Sequence, residues 1–185
     1  MKIGIDIDGV LANFGQAFAA VLHKRWNTRF DIDPQPTKWD WSDLGLTKEE
    51  ENWAWEEVKR TPNFWVGLEP YHDNVRALAS HRTMFPEDEI FYVTSRVPSA
   101  GLPVMHQSQR WLLAHGIYGL GTSVIVKPKN IEKDIIYDAI GVTTAIDDYL
   151  PACVDMIQCL DRPWNQGDTY AHRYKDLRSF LAQRR

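Results

Sequence analysis

MKIGIDIDGV, residues 1–10, sets Ile3, Ile5 and Ile7 at every second position between lysine, glycine and aspartate. A period of two is the pattern of a β-strand with one face buried, so Lys2 to Ile7 reads as a short strand. It runs directly into Asp6-Ile7-Asp8-Gly9. Four further apolar runs repeat the pattern: Glu89 to Val93, Ser123 to Val126, Thr143 to Ile146 and Met156 to Leu160. The first of these four ends in Thr94-Ser95-Arg96 and the third in Asp147-Asp148.

Helical spacing fills the gaps. Val75, Leu78 and Ala79 mark one helix, and Pro103 to His115 forms another with Gly116 just past its end. Ile131, Ile135, Ala139 and Ile140 describe a third helical face, closed by Gly141. Tyr170, Tyr174, Leu177 and Leu181 describe a C-terminal helix. Strand–helix alternation from Pro70 onward implies parallel strands with helices on both faces. Between the first two strands the chain is helical instead. Phe14, Phe18, Val21, Leu22 and Trp26 share a face, and Thr47-Lys48-Glu49-Glu50 is a capping box opening a helix through about Arg60. Residues 31–43 hold two prolines and read as loop. The expected fold is α/β: a Rossmann-like parallel sheet with helices on both faces and a small helical cap inserted after the first strand. Residues 1–14 and 70–185 form the core, and residues 15–69 the cap.

Composition narrows the function classes. Among 185 residues, 44% are hydrophobic and 25% charged, ordinary values for a globular protein. A net charge of −4 gives no reason to bind duplex nucleic acid or an anionic membrane. Two cysteines, Cys153 and Cys159, are too few for a disulfide framework or a zinc site. No apolar run approaches a membrane span, and the N-terminus is too acidic for a signal peptide, so a cytoplasmic protein is expected.

The chemistry lies at the strand ends, where open α/β sheets place their binding crevice. With adjacent parallel strands, Asp6/Asp8, Thr94/Ser95 and Asp147/Asp148 converge there. Four carboxylates in one crevice repel unless a cation sits among them, and hard oxygen donors suit magnesium. Asp6 can attack phosphorus to give an acyl phosphate. Asp8 can protonate the leaving oxygen and then deprotonate the attacking water. Gly9 lets the backbone turn closely beneath a phosphoryl group, and the Thr94 hydroxyl can donate to it. Lys127, Lys129 and Lys133 are candidates to offset the remaining charge. Lys133 falls in the first turn of a helix, where peptide N–H groups also favour an anion.

These residues resemble the haloacid dehalogenase-like phosphatase superfamily, whose four motifs match Asp6-Ile7-Asp8-Gly9-Val10-Leu11, Thr94-Ser95, a lysine, and Asp147-Asp148 in order. The resemblance implies Asp6 as nucleophile and Asp8 as general acid and base. It implies magnesium on Asp6, the Asp8 carbonyl and the acidic pair, with Asp148 the direct ligand and Asp147 its partner. Lys133 is the expected phosphate lysine, with Lys129 as alternate. More narrowly, the chain is similar to the 5′(3′)-deoxyribonucleotidases and their bacterial and phage relatives. DIDGVLANF (residues 6–14), TPNFWVGLEP (61–70) and LDRPWN (160–165) carry that likeness.

The implied substrate is a small phosphate ester, a nucleoside monophosphate, with Phe64 and Trp65 against the base. Arg96, where vertebrate members carry proline, is assigned to the substrate side as well. Trp39, Trp41, Trp53 and Trp55 are expected in the cap's own core. Two alternatives remain: the same chemistry on a sugar phosphate or polynucleotide 3′-phosphate, and an inactive binding module. The sequence leaves open whether the chain pairs into a homodimer.

Overall fold

The computed structural model describes residues 1–27, 29–31, 34, 36–166 and 172–183. Its strands are β1 (Lys2–Ile5), β2 (Glu89–Thr94), β3 (Thr122–Val126), β4 (Thr144–Asp147), β5 (Ile157–Leu160) and β6 (Arg173–Tyr174). Its helices are α1 (Phe14–Trp26), α2 (Lys48–Arg60), α3 (His72–Met84), α4 (Val104–Ala114), α5 (Lys133–Ile140) and α6 (Leu177–Leu181). The strands form one sheet in the order β3-β2-β1-β4-β5-β6, and every pair is parallel. From β1 the chain steps outward to β2 and β3, then returns to build β4, β5 and β6 on the other side. The direction reverses between β1 and β4, which is where such sheets bind ligands.

Alternation along the strands sorts side chains onto two faces. Ile3, Ile5, Ile90, Tyr92, Val124 and Ile146 enter a large apolar cluster. Val93, Ala145 and Ile157 enter a smaller one with Tyr137 of α5 and Val142. Gly4 on β1 belongs to the second face, where a Cβ would stand 2.4 Å from the Tyr137 ring. Only glycine admits α5 that close to the sheet.

Burial on α5 corrects the expected helical face. Ile135 is exposed and Ile131 precedes the helix, whereas Lys133 and Tyr137 are buried, with Ile136 and Ile140 packed beside them. These four sit at i, i+3, i+4 and i+7, a regular helical stripe. A face drawn from apolar residues alone leaves out Lys133, the expected phosphate lysine, which lies on the inward side. The chain's end differs too. Tyr174 is in β6, paired with Leu160, and the last helix begins at Leu177. Tyr170 lies outside the described residues.

The capping box at Thr47 is present: Glu50 N–H donates to Thr47 Oγ1 at 3.3 Å and Thr47 N–H donates to Glu50 Oε2 at 2.9 Å. Helices α1 and α2 lie between β1 and β2 in sequence, reached through a narrow neck. Asn13 N–H donates to the Glu69 carbonyl and Tyr71 N–H to the Leu11 carbonyl, both at 2.7 Å. Beyond the neck, Phe18, Leu22, Ala54, Val58 and Trp65 belong to the same cluster as Ile3 and Ile5 of the sheet. The inserted helices therefore share the core of the sheet. Trp41 is buried and Trp53 and Trp55 pack on the cluster, but Trp39 is 53% exposed and not part of it.

Candidate active site

Adjacent parallel strands β2, β1 and β4 end side by side, which brings their following residues to one edge. Asp6 N–H donates to the Ile146 carbonyl at 3.0 Å, extending the β1–β4 ladder by one step. One oxygen from each of Asp6, Asp147 and Asp148 lies within 4.8 Å of the others, and all three residues are buried. Lys133, 6% exposed, reaches this group from the start of α5. Its Nζ is 2.7 Å from Asp6 Oδ1 and 2.6 Å from Asp147 Oδ2. Of the other lysines, Lys129 is exposed and Lys127 donates to the carbonyls of Pro128 and Ile131.

Electrostatics follow from burying three carboxylates with one ammonium. Burial, with Asp147 and Asp8 nearby, pushes the Asp6 carboxyl up to about 7 from 3.8 despite the opposing pull of Lys133. Asp148 is also held well above the ordinary range, first by burial and then by Asp147 and Asp6. For Lys133 burial opposes the charge, but Asp147 and Asp6 prevail and hold it firmly protonated. One cation does not balance three buried acids.

The donor set fits a second cation. Among the described residues, Asp148 Oδ1 is buried without a hydrogen-bond partner. A buried acceptor left unpaired costs on the order of 1–3 kcal/mol, more for a charged one. Asp148 also packs against the loop after β1, where Gly9 adopts φ +79° and a Cβ would lie 2.0 Å from Asp148 Oδ2. No other residue type fits beneath that carboxylate. All the donors are hard oxygens, as magnesium prefers.

The remaining expected residues are placed differently. Asp8 is not one of the three clustered acids, and its carboxylate is paired instead. Arg96 Nε donates to its Oδ2 and Nη2 to its Oδ1, and Thr94 Oγ1 is 3.3 Å from Oδ2. Arg96 Nη1 donates to Ser108 Oγ at 2.9 Å. Arg96, expected on the substrate side, is buried here, with three of its five N–H donors on Asp8 and Ser108 and its Cζ 4.9 Å from the centroid of the Trp65 ring. Ser95 is exposed at the end of β2. Phe64 and Trp65 are both buried, and Trp65 Nε1 donates to the Val97 carbonyl at 2.9 Å. The pair expected against a base is part of the packed interior here.

Sequence reasoning missed two features at this edge. Trp39, from the inserted segment, meets Tyr149, the residue after Asp148, with ring centroids 4.5 Å apart. Both rings are exposed, Tyr149 by 39%. The turn Pro163–Asn165 after β5 also touches the site: Trp164 Nε1 donates to Asp148 Oδ2 at 3.0 Å and Arg162 Nε to the Gly9 carbonyl at 2.6 Å. LDRPWN carried part of the family likeness, but nothing in its residue types pointed to contacts with Asp148 and Gly9.

Comparisons with known proteins point the same way. The family described as 5′ nucleotidase, deoxy (Pyrimidine), cytosolic type C protein matches residues 1–173. No curated protein matches the chain in sequence. A HAD-superfamily hydrolase of subfamily IA, variant 1, from Geobacter sulfurreducens is similar in fold, with a TM-score of 0.57 at 13% identity, covering 98% of this chain and 97% of that one. CbbY from Rhodobacter sphaeroides, solved with phosphate, gives a TM-score of 0.52 at 13% identity, over 97% of this chain and 95% of that one. Among the described residues no helix is long and apolar enough to cross a membrane. The fold is that of the HAD superfamily, and a family match running from residue 1 to residue 173 decides the rest: the chain belongs to the NT5C family of 5′-nucleotidases and is a phosphatase.

Proposed function

We propose that the chain is a magnesium-dependent phosphomonoesterase that hydrolyses nucleoside monophosphates through an aspartyl-phosphate on Asp6. The observation that carries this reading is the buried group at the ends of β1 and β4, with Lys133 bridging Asp6 and Asp147 and Asp148 Oδ1 unsatisfied beside them.

Asp6, the carbonyl of Asp8, and Asp148 would hold the cation, with Asp147 oriented by Lys133 and by the Tyr149 N–H at 2.9 Å. Magnesium, when bound, supplies the positive charge that keeps these carboxylates ionised and neutralises phosphoryl oxygens. The Asp6 carboxylate attacks phosphorus; the P–O bond to the nucleoside breaks, and the departing oxygen takes a proton from Asp8. Asp8, now ionised, removes a proton from water as it attacks the acyl phosphate, releasing phosphate and restoring Asp6. Lys133 offsets charge throughout, and Thr94 and Ser95 lie at the end of β2 to receive phosphoryl oxygens. Gly9 gives the close turn beneath them.

Residues 15–69 act as the cap over this edge. Their contact with the nucleobase falls to Trp39, paired with Tyr149 on the core side, because these rings are exposed and Phe64 and Trp65 are not. Stacking of this kind contributes about 1–3 kcal/mol per base and tolerates any base.

Phosphate release from a panel of nucleoside monophosphates and sugar phosphates, with magnesium and with EDTA, tests the proposal. Magnesium-dependent release favouring deoxynucleotides is expected. Equal rates on sugar phosphates would remove the base-recognition half and leave the chemistry, and release unaffected by EDTA would remove the metal.

A further inference from the structure

Asp148 is pinned by the turn that follows β5. This turn comes from the neighbouring strand, not from the acidic motif itself. Asn165, buried, donates through Nδ2 to the carbonyls of Asp148 and Leu160, both at 2.8 Å. Its Oδ1 accepts from Arg162 N–H at 3.0 Å and from Arg173 Nη2 at 2.8 Å. The turn is thus fixed to the backbone on both sides of the β4–β5 pair. From it Trp164 projects its indole N–H onto Asp148 Oδ2, and Arg162 grips the Gly9 carbonyl while lying 4.0 Å over the Tyr71 ring.

An aspartate's terminal torsion is broad, so its two oxygens readily exchange roles unless something distinguishes them. Trp164 distinguishes them here. Oδ2 receives the indole proton and packs on Gly9; Oδ1 stays buried and unpaired among the described residues. A purely structural carboxylate would have both oxygens satisfied, because leaving one bare is costly. The arrangement withholds one oxygen from the site and presents the other to it.

We infer that Trp164 is a positioning residue for the metal: its indole N–H fixes Asp148 so that Oδ1 alone is offered to the divalent cation. This inference rests on the proposed magnesium site. Partners that orient a ligand in this way change metal affinity about 10- to 100-fold when removed. Trp164 is only half-buried, so its replacement leaves the core of the sheet untouched.

The test is calorimetric titration of magnesium chloride into wild-type protein and Trp164→Phe, with the metal-free melting temperature of each measured in EDTA. The expected result is magnesium binding about tenfold weaker in the variant, with the metal-free melting temperature nearly unchanged. A second variant carrying 3-benzothienylalanine at position 164 keeps the shape of the bicyclic ring and removes only the N–H. It gives the same loss if the hydrogen bond is responsible, and settles the matter should phenylalanine disturb the turn. Affinity within twofold of wild type in the benzothienyl protein overturns the inference and leaves the magnesium site standing. Wild-type protein that takes up no magnesium overturns both.

Discussion

Arg96 meets Asp8 as a fork, Nε on Oδ2 and Nη2 on Oδ1, each at 2.8 Å. Bidentate pairing of this kind fixes a carboxylate in direction, and Asp8 must release one arm of the fork to carry a proton. The guanidinium is itself held by Ser108 of α4 and by the Trp65 ring, so Asp8 is tied through one side chain to two other elements. If Asp8 delivers a proton to the leaving group, Arg96 determines where it stands when it does so. Arg96→Lys keeps the charge and loses the fork. We expect it to lower kcat about tenfold or more on nucleoside monophosphates, whose alkoxide leaving group needs a proton. Hydrolysis of 4-nitrophenyl phosphate, whose leaving group departs unaided, should fall far less. Equal losses on the two substrates would argue against a role through Asp8.

Lys133 bridges Asp6 and Asp147 from a buried position, so removing its ammonium leaves acids in the interior with no counter-charge. Breaking a buried pair from one side costs about 3–5 kcal/mol. Lys133→Met should melt well below wild type and show no measurable turnover. Lys129→Ala, at an exposed position, should retain wild-type kcat within about twofold, as surface substitutions usually do. Loss of activity in the second variant would transfer the phosphate role to Lys129.

Asp6→Asn removes the proposed nucleophile and one negative charge from a crowded group. Steady-state phosphate release should vanish while the circular dichroism spectrum and melting temperature stay at or above wild type. Residual turnover would exclude a covalent intermediate on Asp6.

Asp6 also links stability to pH. Its folded value near 7 lies above the ordinary 3.8, so between those limits the folded protein retains a proton that the unfolded chain has released. Stability contributed by this group is full below about pH 4 and is lost as pH rises through 7. Asp148, raised likewise, acts in the same direction. The melting temperature in EDTA should therefore be lower at pH 8 than at pH 5, and saturating magnesium should shrink the difference. A metal-free protein that grows more stable across this interval contradicts the assignment.

Trp39 and Tyr149 should separate substrates without touching chemistry. Trp39→Ala is expected to raise KM for nucleoside monophosphates about fivefold or more, the equivalent of about 1 kcal/mol of lost stacking. KM for a sugar phosphate should barely move. If both rise together, the ring supports the cap and not the base.

Much of this arrangement was readable from the strand ends. Ile3, Ile5 and Ile7 fix the period, and a polar pair after each of three apolar runs places Asp6, Thr94 and Asp147 on one edge once the strands are parallel. What escaped reading depended on side-chain direction. Lys133 was legible as the site's lysine from its place in the first turn of α5, but the buried stripe it shares with Ile136, Tyr137 and Ile140 was not, because no hydrophobicity pattern includes a lysine. Arg96 was assigned to the substrate side from its place directly after Thr94-Ser95. In the fold it meets Asp8, 88 residues earlier in the chain, at the end of the neighbouring strand. Phe64 and Trp65, expected against a base, pack inward here, and Trp65 has an internal partner for its N–H, so its burial leaves no donor unpaired. Trp39 went the other way, left outside the apolar cluster with its ring against Tyr149.

The neck at residues 11–13 and 69–71 invites comparison with a hinge, yet the shared apolar cluster forbids a swinging lid. Asn63 N–H donates to the Ala100 carbonyl, Ala100 N–H to that of Lys59, and Trp65 N–H to Gln107 Oε1. Lifting α1 and α2 as one piece would break these bonds and expose Phe18, Leu22 and Trp65, each large side chain costing about 1.5–3 kcal/mol. Motion that expensive would rarely occur within a catalytic cycle. Traffic in and out of the crevice is left to the rim, where the exposed rings of Trp39 and Tyr149 meet. The enzyme works less like a box with a hinged cover than like a solid block with a latch at one corner.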